Sequence, residues 1–433
     1  MRTWLLIAAL AAVLAACSGG SKPATPTASP TVPASVSEVT PTAGTAKTDG
    51  LPDRTWREPR VAKPLPDAQL KKDHLVVYTD EVATQSTGSR SYPTLEIVTY
   101  DLDAGQIVGV SRAGALLDIV YGAYLAGRSL VIRHEDRVVV SALDGSASRI
   151  LFQAPSGTLT QSVAVSPDGT LVAVAVEPSD LADAPLSFLS FLDVQSGREV
   201  SRIPYDSFQT AGMSGTPGVI AWWGDNSAVE VHGIVHKGGG PRPTGTAYRD
   251  GSVVMYARSL ETMSPDGRQA AYSDGENVYA CDSMGGLGVG FRVLGLPAAN
   301  TVFNFQKEGV AAGAERFSPD GKQVLFATYP LGTSAQGQPC FKYLQPSWHV
   351  LSGGAVSNVS DLAALIRGWE GPHFVETGCA DPTLSARMPG SWLVACGVMY
   401  DRPLATLIIG GKAIDQVHDG HIVGFLEPGQ YGE

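Results

Sequence analysis

From His74 onward the apolar residues come in short runs bounded by Gly, Asp, Ser and Pro, with almost no helical period between them. Runs of this length that alternate, or are wholly apolar, are those of strands packed on one or both faces. Three stretches align without gaps: Ala164-Val-Ser-Pro-Asp-Gly-Thr-Leu-Val-Ala-Val174, Thr262-Met-Ser-Pro-Asp-Gly-Arg-Gln-Ala-Ala-Tyr272 and Arg316-Phe-Ser-Pro-Asp-Gly-Lys-Gln-Val-Leu-Phe326. Each reads as strand, tight turn, strand. The turn has a mechanism: Pro presets φ at its second position, Asp (Asp168, Asp266, Asp320) binds nearby backbone amides, and Gly (Gly169, Gly267, Gly321) takes the positive φ that closes it.

The serines of these turns stand at 166, 264 and 318, so the first interval of 98 is long enough to hide another copy beside the second of 54. Trp222-Trp-Gly-Asp-Asn-Ser-Ala-Val-Glu-Val231 supplies it, with Asn226 where Gly is expected, and Asn tolerates positive φ. Weaker copies start at Tyr124 and Met388, and residues 74–110 supply a first unit. Second hairpins show at Tyr100-Asp-Leu-Asp-Ala-Gly-Gln-Ile-Val108, Val138-Val-Val-Ser-Ala-Leu-Asp-Gly-Ser146 and Phe191-Leu-Asp-Val-Gln-Ser-Gly-Arg-Glu-Val200. Two hairpins per unit make a four-stranded sheet, so the expected class is all-β, with six or seven such sheets and the count leaning to seven. One segment departs from this pattern. Ser360-Asp-Leu-Ala-Ala-Leu-Ile-Arg-Gly-Trp369 has a capping Ser and apolar residues at helical spacing, which predicts a short surface helix in an insertion.

The Ser-Pro-Asp-Gly turns resemble the signature of TolB-type and related WD-like β-propeller repeats, over roughly residues 75–425. That resemblance implies a β-propeller of four-stranded blades, and it is a fold signal more than a functional one. The stretch 18–66 is too short and too Pro-rich for the α/β domain that precedes the propeller in TolB, so envelope-spanning partners are not carried over.

The N-terminal region reads differently. Residues 1–16 place Arg2 before an apolar run from Trp4 to Ala16, a signal-peptide pattern too short to cross a bilayer. Leu14-Ala-Ala-Cys17 resembles the lipobox of bacterial lipoproteins, which implies cleavage before Cys17 and a lipid thioether on its sulfur. Two or three acyl chains, at about 0.8 kcal/mol per buried methylene, hold a protein on a membrane where one does not. From Ser18 to about Gly50 the chain is Ser, Thr, Pro, Ala and Gly, a composition that cannot repay its ordering entropy and leans to extended polyproline II. The expected organisation is therefore signal 1–16, lipidated tether 17–66 and propeller 67–433, with the domain lipid-anchored on the extracytoplasmic face of the cell membrane. Ordered structure is expected to begin between Trp56 and His74.

Loss of residues 1–16 removes Arg2 and moves the net charge from −11 to −12, which disfavours nucleic acid as a partner. Four cysteines besides Cys17 in an exported chain suggest two disulfides. Of the three connectivities, sequence neighbours give Cys281 with Cys340 and Cys379 with Cys396; free buried thiols are the other reading.

Catalytic signatures are missing. The serines in Gly109-Val-Ser-Arg-Ala113 and Gly212-Met-Ser-Gly-Thr216 fail the G-x-S-x-G pattern, and neither H-E-x-x-H nor a phosphate-binding glycine loop occurs. The turn aspartates read as structural. His418-Asp-Gly-His421 would, as an Asp-Gly hairpin, set two imidazoles opposite one another as weak metal candidates; His232 and His236 share a strand face. Of Trp222 and Trp223, adjacent on a strand, at most one faces a ligand funnel, and packing between blades accounts for both. The expectation is thus a non-catalytic binding scaffold, without cofactor, for a protein or cell-envelope component. The alternatives are a metal-assisted hydrolase or lactonase in the central channel, and a sensor of small ligands or sugars.

Overall fold

The computed structural model describes residues 59–426 apart from short intervening segments, the longest of them 377–403. All lie in one compact unit, 44–433. The described strands form seven blades, of which two are joined in one nine-stranded sheet, and all but one of their strand pairs are antiparallel. Blade 2 shows the plan, with Val120–Ala126, Ser129–His134, Arg137–Ala142 and Arg149–Gln153 paired in chain order. Blades 3 (158–204) and 4 (216–255) repeat it. Blades 5 (260–304) and 6 (310–358) do too, and the strand Pro339–Phe341 joins them by pairing parallel with Tyr279–Ala280 and antiparallel with Leu331–Thr333. Blade 7 has three described strands between 373 and 418. The chain is an all-β propeller.

Alternation explains why these sheets stack. In Leu171–Pro178 of blade 3, Val172, Val174 and Val176 pack with Val138, Val140 and Phe152 of blade 2. Leu171, Ala173 and Ala175 pack with Val229, Val231 and Trp222 of blade 4. Both faces are buried, so the strand is apolar throughout. Further clusters of the same kind join blades 1 and 2, 4 and 5, 5 and 6, and 7 and 1. First strands of successive blades lie against one another, Ile422–Leu426 on Val120–Ala126 and the latter on Thr158–Val165, and they form the inner ring.

Blade 1 closes the circle. Its strands Leu75–Val82, Thr94–Asp101 and Gln106–Ala113 come from the start of the domain, and its inner strand Ile422–Leu426 from the end, with Leu75 opposite Leu426 and Val76 opposite Phe425. Residues 59–66, the end of the segment read as tether, belong to this closure. Lys63 bridges to Val110, and Leu65 is buried over Gly109. Arg60 inserts between blades 1 and 7, where Nη1 donates to Asp80 Oδ2 and Glu96 Oε2, both at 2.7 Å, and Nη2 donates to Asp415. Tyr78 donates to the same Asp415 carboxylate at 2.8 Å. Burial opposes the guanidinium charge, but Asp415 and Asp80 outweigh it and hold the Arg60 pKa above its ordinary value.

Two helical pieces lie between blades. Tyr205–Thr210 links blades 3 and 4 and buries Phe208; sequence periodicity does not reveal so short a helix. The segment expected as a helix near 360–369 makes the i to i−4 bonds Leu365 to Asp361 and Trp369 to Leu365. It is not a plain surface helix, because Leu362 and Trp369 are buried on Leu325 and Val350 of blade 6.

Three outcomes test this account. Gly321→Ala, at φ +68° with Ser264 Cβ 3.7 Å from the new methyl, should cost about 1–2 kcal/mol by denaturant titration. Gly169→Ala, at φ +71°, drives its methyl into the Gly127 backbone of the neighbouring blade and should cost clearly more. Arg60→Met, which strands three buried carboxyls, should remove about 3–5 kcal/mol in the same measurement.

Candidate functional site

The Ser-Pro-Asp-Gly turns join first to second strands at one end of the ring. In all three, the Ser hydroxyl donates to the Asp carboxylate at 2.6 Å, and the same oxygen accepts the amide two residues on. Each Gly amide closes the turn on the Ser carbonyl. The bond from Ser318 and the Lys322 amide lower Asp320 to about 2, and Asp168 is lowered too, burial being outweighed by Ser166 and Thr170. These carboxylates serve their own turns. The fourth turn follows suit, with Asn226 at φ +57° and Asp225 accepting from Ser227.

A second repeated feature lies on the inner ring. The first strand of blades 2 to 6 carries a β-bulge, and so does Ile422–Leu426, opposite Val77/Tyr78 of blade 1. Bulges re-aim the extra side chain and often do so beside functional sites. In blades 5 and 6 the extra residue is an acid, Glu261 and Glu315, each three positions before the Ser of its turn.

These two acids interact across the blade 5–6 boundary. Glu261 Oε2 accepts the Ala314 amide at 2.6 Å, and its other oxygen lies over Gly313. Both acids keep partial exposure while being closely walled in, the environment of a narrow channel rather than of an outer surface. Burial, reinforced by the charge of Glu315, pushes Glu261 well above the carboxylate range. Burial pushes Glu315 up to about 7 against the pull of Arg316 and a bond from Tyr329. Arg316 is 1% exposed, and none of its three guanidinium nitrogens makes a hydrogen bond. Desolvation lowers its pKa to about 10 although Glu315 opposes this. Two interacting carboxyls at a partly exposed wall can exchange a proton and hydrogen-bond a polar group.

A third cluster sits between blades 4 and 5. Glu230 is fully buried and accepts Trp223 Nε1 at 2.7 Å and Thr246 Oγ1 at 2.5 Å on Oε1. The Tyr272 hydroxyl faces the same carboxyl. Burial pushes Glu230 up to about 7. Trp222 donates to Ala164 O at 2.9 Å in the blade 3–4 core, so the two indoles face opposite blades as strand geometry requires.

Of the remaining expected residues, Cys281 and Cys340 form a disulfide, Cα–Cα 5.0 Å. Cys17, Cys379, Cys396, His236 and His421 lie outside the described residues. His418 ends a strand of blade 7 and Ile422 begins the closing strand of blade 1. Residues 419–421 between these strands lie outside the described residues, and with them the hairpin expected to oppose His418 and His421. Among the described residues no three His, Cys, Asp or Glu side chains are grouped to hold a metal ion.

No protein-family model and no curated protein matches this chain. Among solved structures it is similar to an oligogalacturonate lyase of Vibrio parahaemolyticus, at 12% identity and TM-score 0.38 over 70% of this chain and 84% of that one. It is also similar to TolB of Acinetobacter baumannii, at 11% identity and TM-score 0.32 over 80% of this chain and 82% of that one. The propeller itself is read from the sheet pairing above.

The raised carboxyl pKa values fix a sign. A carboxyl near 7 in the fold and near 4.5 unfolded keeps its proton in the native state, so its stabilisation is whole below about pH 4.5 and is lost as pH rises to 7. Thermal melts should therefore fall between pH 5 and 8.5. Glu230→Gln, which keeps the acceptor for Trp223 and Thr246, should be nearly neutral at pH 5 and stabilising at pH 8.5 by on the order of 3 kcal/mol.

Proposed function

We propose that this chain is a lipid-anchored extracytoplasmic propeller that binds a protein or cell-envelope component at the inner wall between blades 5 and 6. The observation that carries the reading is the pair of bulge acids, Glu261 and Glu315, which meet across the blade 5–6 boundary while keeping partial exposure. Carboxyls so placed donate to and accept from an incoming polar group. The Leu14-Ala-Ala-Cys17 tetrad and the Pro-rich stretch after it support the anchor: a tether confines the propeller near the membrane and raises its effective concentration there. No helix among the described residues is long and apolar enough to cross a membrane.

One observation favours a second reading, a hydrolase acting in the channel: Glu315, at about 7, is poised for general acid or base chemistry. Turnover of an envelope ester or glycoside that disappears in Glu315→Gln would select it.

The test of the binding reading uses crosslinked envelopes. Wild-type chain should incorporate labelled palmitate and recover a discrete partner; Cys17→Ser should lose the label and leave the membrane fraction. Glu261→Gln with Glu315→Gln should melt like wild type at pH 5 and lose the partner. Equal recovery by the double variant would remove the inner wall from the account, and label retained in Cys17→Ser would remove the anchor.

A further inference from the structure

The outer part of the blade 4–5 boundary holds a cavity of about 290 Å³, lined by Met255, Tyr256, Arg258, Tyr272 and Leu294. This is the small end of ligand pockets, which begin at roughly 300 Å³, and suits one ring with a short arm. Its walls come from rigid elements. Met255 ends the outer strand of blade 4, Tyr272 and Leu294 lie on paired strands of blade 5, and Arg258 is on the connection between the blades, where its carbonyl accepts from Thr244. The Tyr256 and Tyr272 rings meet edge to face, 5.5 Å apart at 68°. With Met255 and Leu294 they make an aromatic and apolar floor.

The rim has the opposite character. Arg258 Nη2 stands 2.9 Å from Asp274 Oδ1, and Arg292 Nη2 stands 3.4 Å from the same oxygen. Two guanidiniums thus share one carboxylate, and the Arg258 side chain is 38% exposed. Glu230 is buried behind Tyr272, and burial pushes it up to about 7.

We infer that this pocket is a second binding site, separate from the inner wall, for a small amphiphilic anion: a planar ring against Tyr256 and Tyr272 with a carboxylate held by Arg258. Apolar body and anionic end match floor and rim, and a cationic ligand of the same shape meets the wrong charge.

The test is calorimetric titration of the full chain in detergent, with an empty-micelle control, using phenylacetate and phenethylamine as probes. Phenylacetate should bind one saturable site, and phenethylamine should show none. Arg258→Gln should weaken phenylacetate by about tenfold or more, and Arg258→Lys by less; wild-type melting temperatures would show both variants folded. The proposal is overturned if phenylacetate fails to saturate, if phenethylamine binds equally, or if Arg258→Gln leaves the affinity unchanged. Affinity kept in Arg258→Gln but lost in Glu261→Gln with Glu315→Gln would place the ligand at the inner wall instead, overturning this pocket while supporting the reading above.

Discussion

The pairing of Ile422–Leu426 with Leu75–Val82 is the constraint on which the remaining structure depends. Each blade is apolar on both faces, so an open stack would leave two faces and two sheet edges exposed to water and to other chains. Closure turns the outward face of blade 1, Val76, Tyr78 and Val98, onto Leu407 and Val417 of blade 7. It is a non-local contact between the ends of a domain of more than 300 residues, and so entropically costly to form. Arg60 sits on that seam and binds three acids from blades 1 and 7. The segment that leads away toward the N-terminus is thereby part of the lock.

What was legible in the sequence follows from how local its cause is. The Ser-Pro-Asp-Gly turns are written in consecutive residues, and even the degenerate copy, with Asn226 at positive φ, could be read. The outer hairpins were visible for the same reason, since Gly105 and Gly197 take the positive φ that their turns demand. Arg60 was not legible, because its partners Asp80, Glu96 and Asp415 lie 20 to 355 residues away. Glu261 and Glu315 fall between these cases. The extended motif Glu-x-x-Ser-Pro-Asp-Gly occurs in both blades, but strand alternation gives no warning that a bulge re-aims its first residue. His418 ends a strand of blade 7 that pairs with Leu404–Ile409, and its expected partner His421 lies outside the described residues.

Buried charge is unevenly distributed around the ring. The described cores between blades 2 and 3 and between blades 3 and 4 are built from apolar clusters. The seam between blades 7 and 1 buries ions, but Arg60 there is matched by three carboxylates. The two faces of blade 5 differ from both. One adjoins Glu230 of blade 4, the other Glu315 of blade 6, and Arg316 beyond it has guanidinium nitrogens with no hydrogen bond. Each such atom costs about 1–3 kcal/mol in a folded protein.

Blade 5 is also tied to its neighbour more firmly than pairing alone would do. The strand Pro339–Phe341 hydrogen-bonds to blades 5 and 6 at once, and the Cys281–Cys340 disulfide closes 59 residues of chain across them. In the chain-entropy picture a loop of that length contributes about 4 kcal/mol, the same order as two or three unpaired buried groups. The staple therefore falls at the same blade boundary as Glu261 and Glu315. Rigidity there keeps the two acids at a fixed separation, and groups held ready for a ligand bind well only if they cannot relax toward each other.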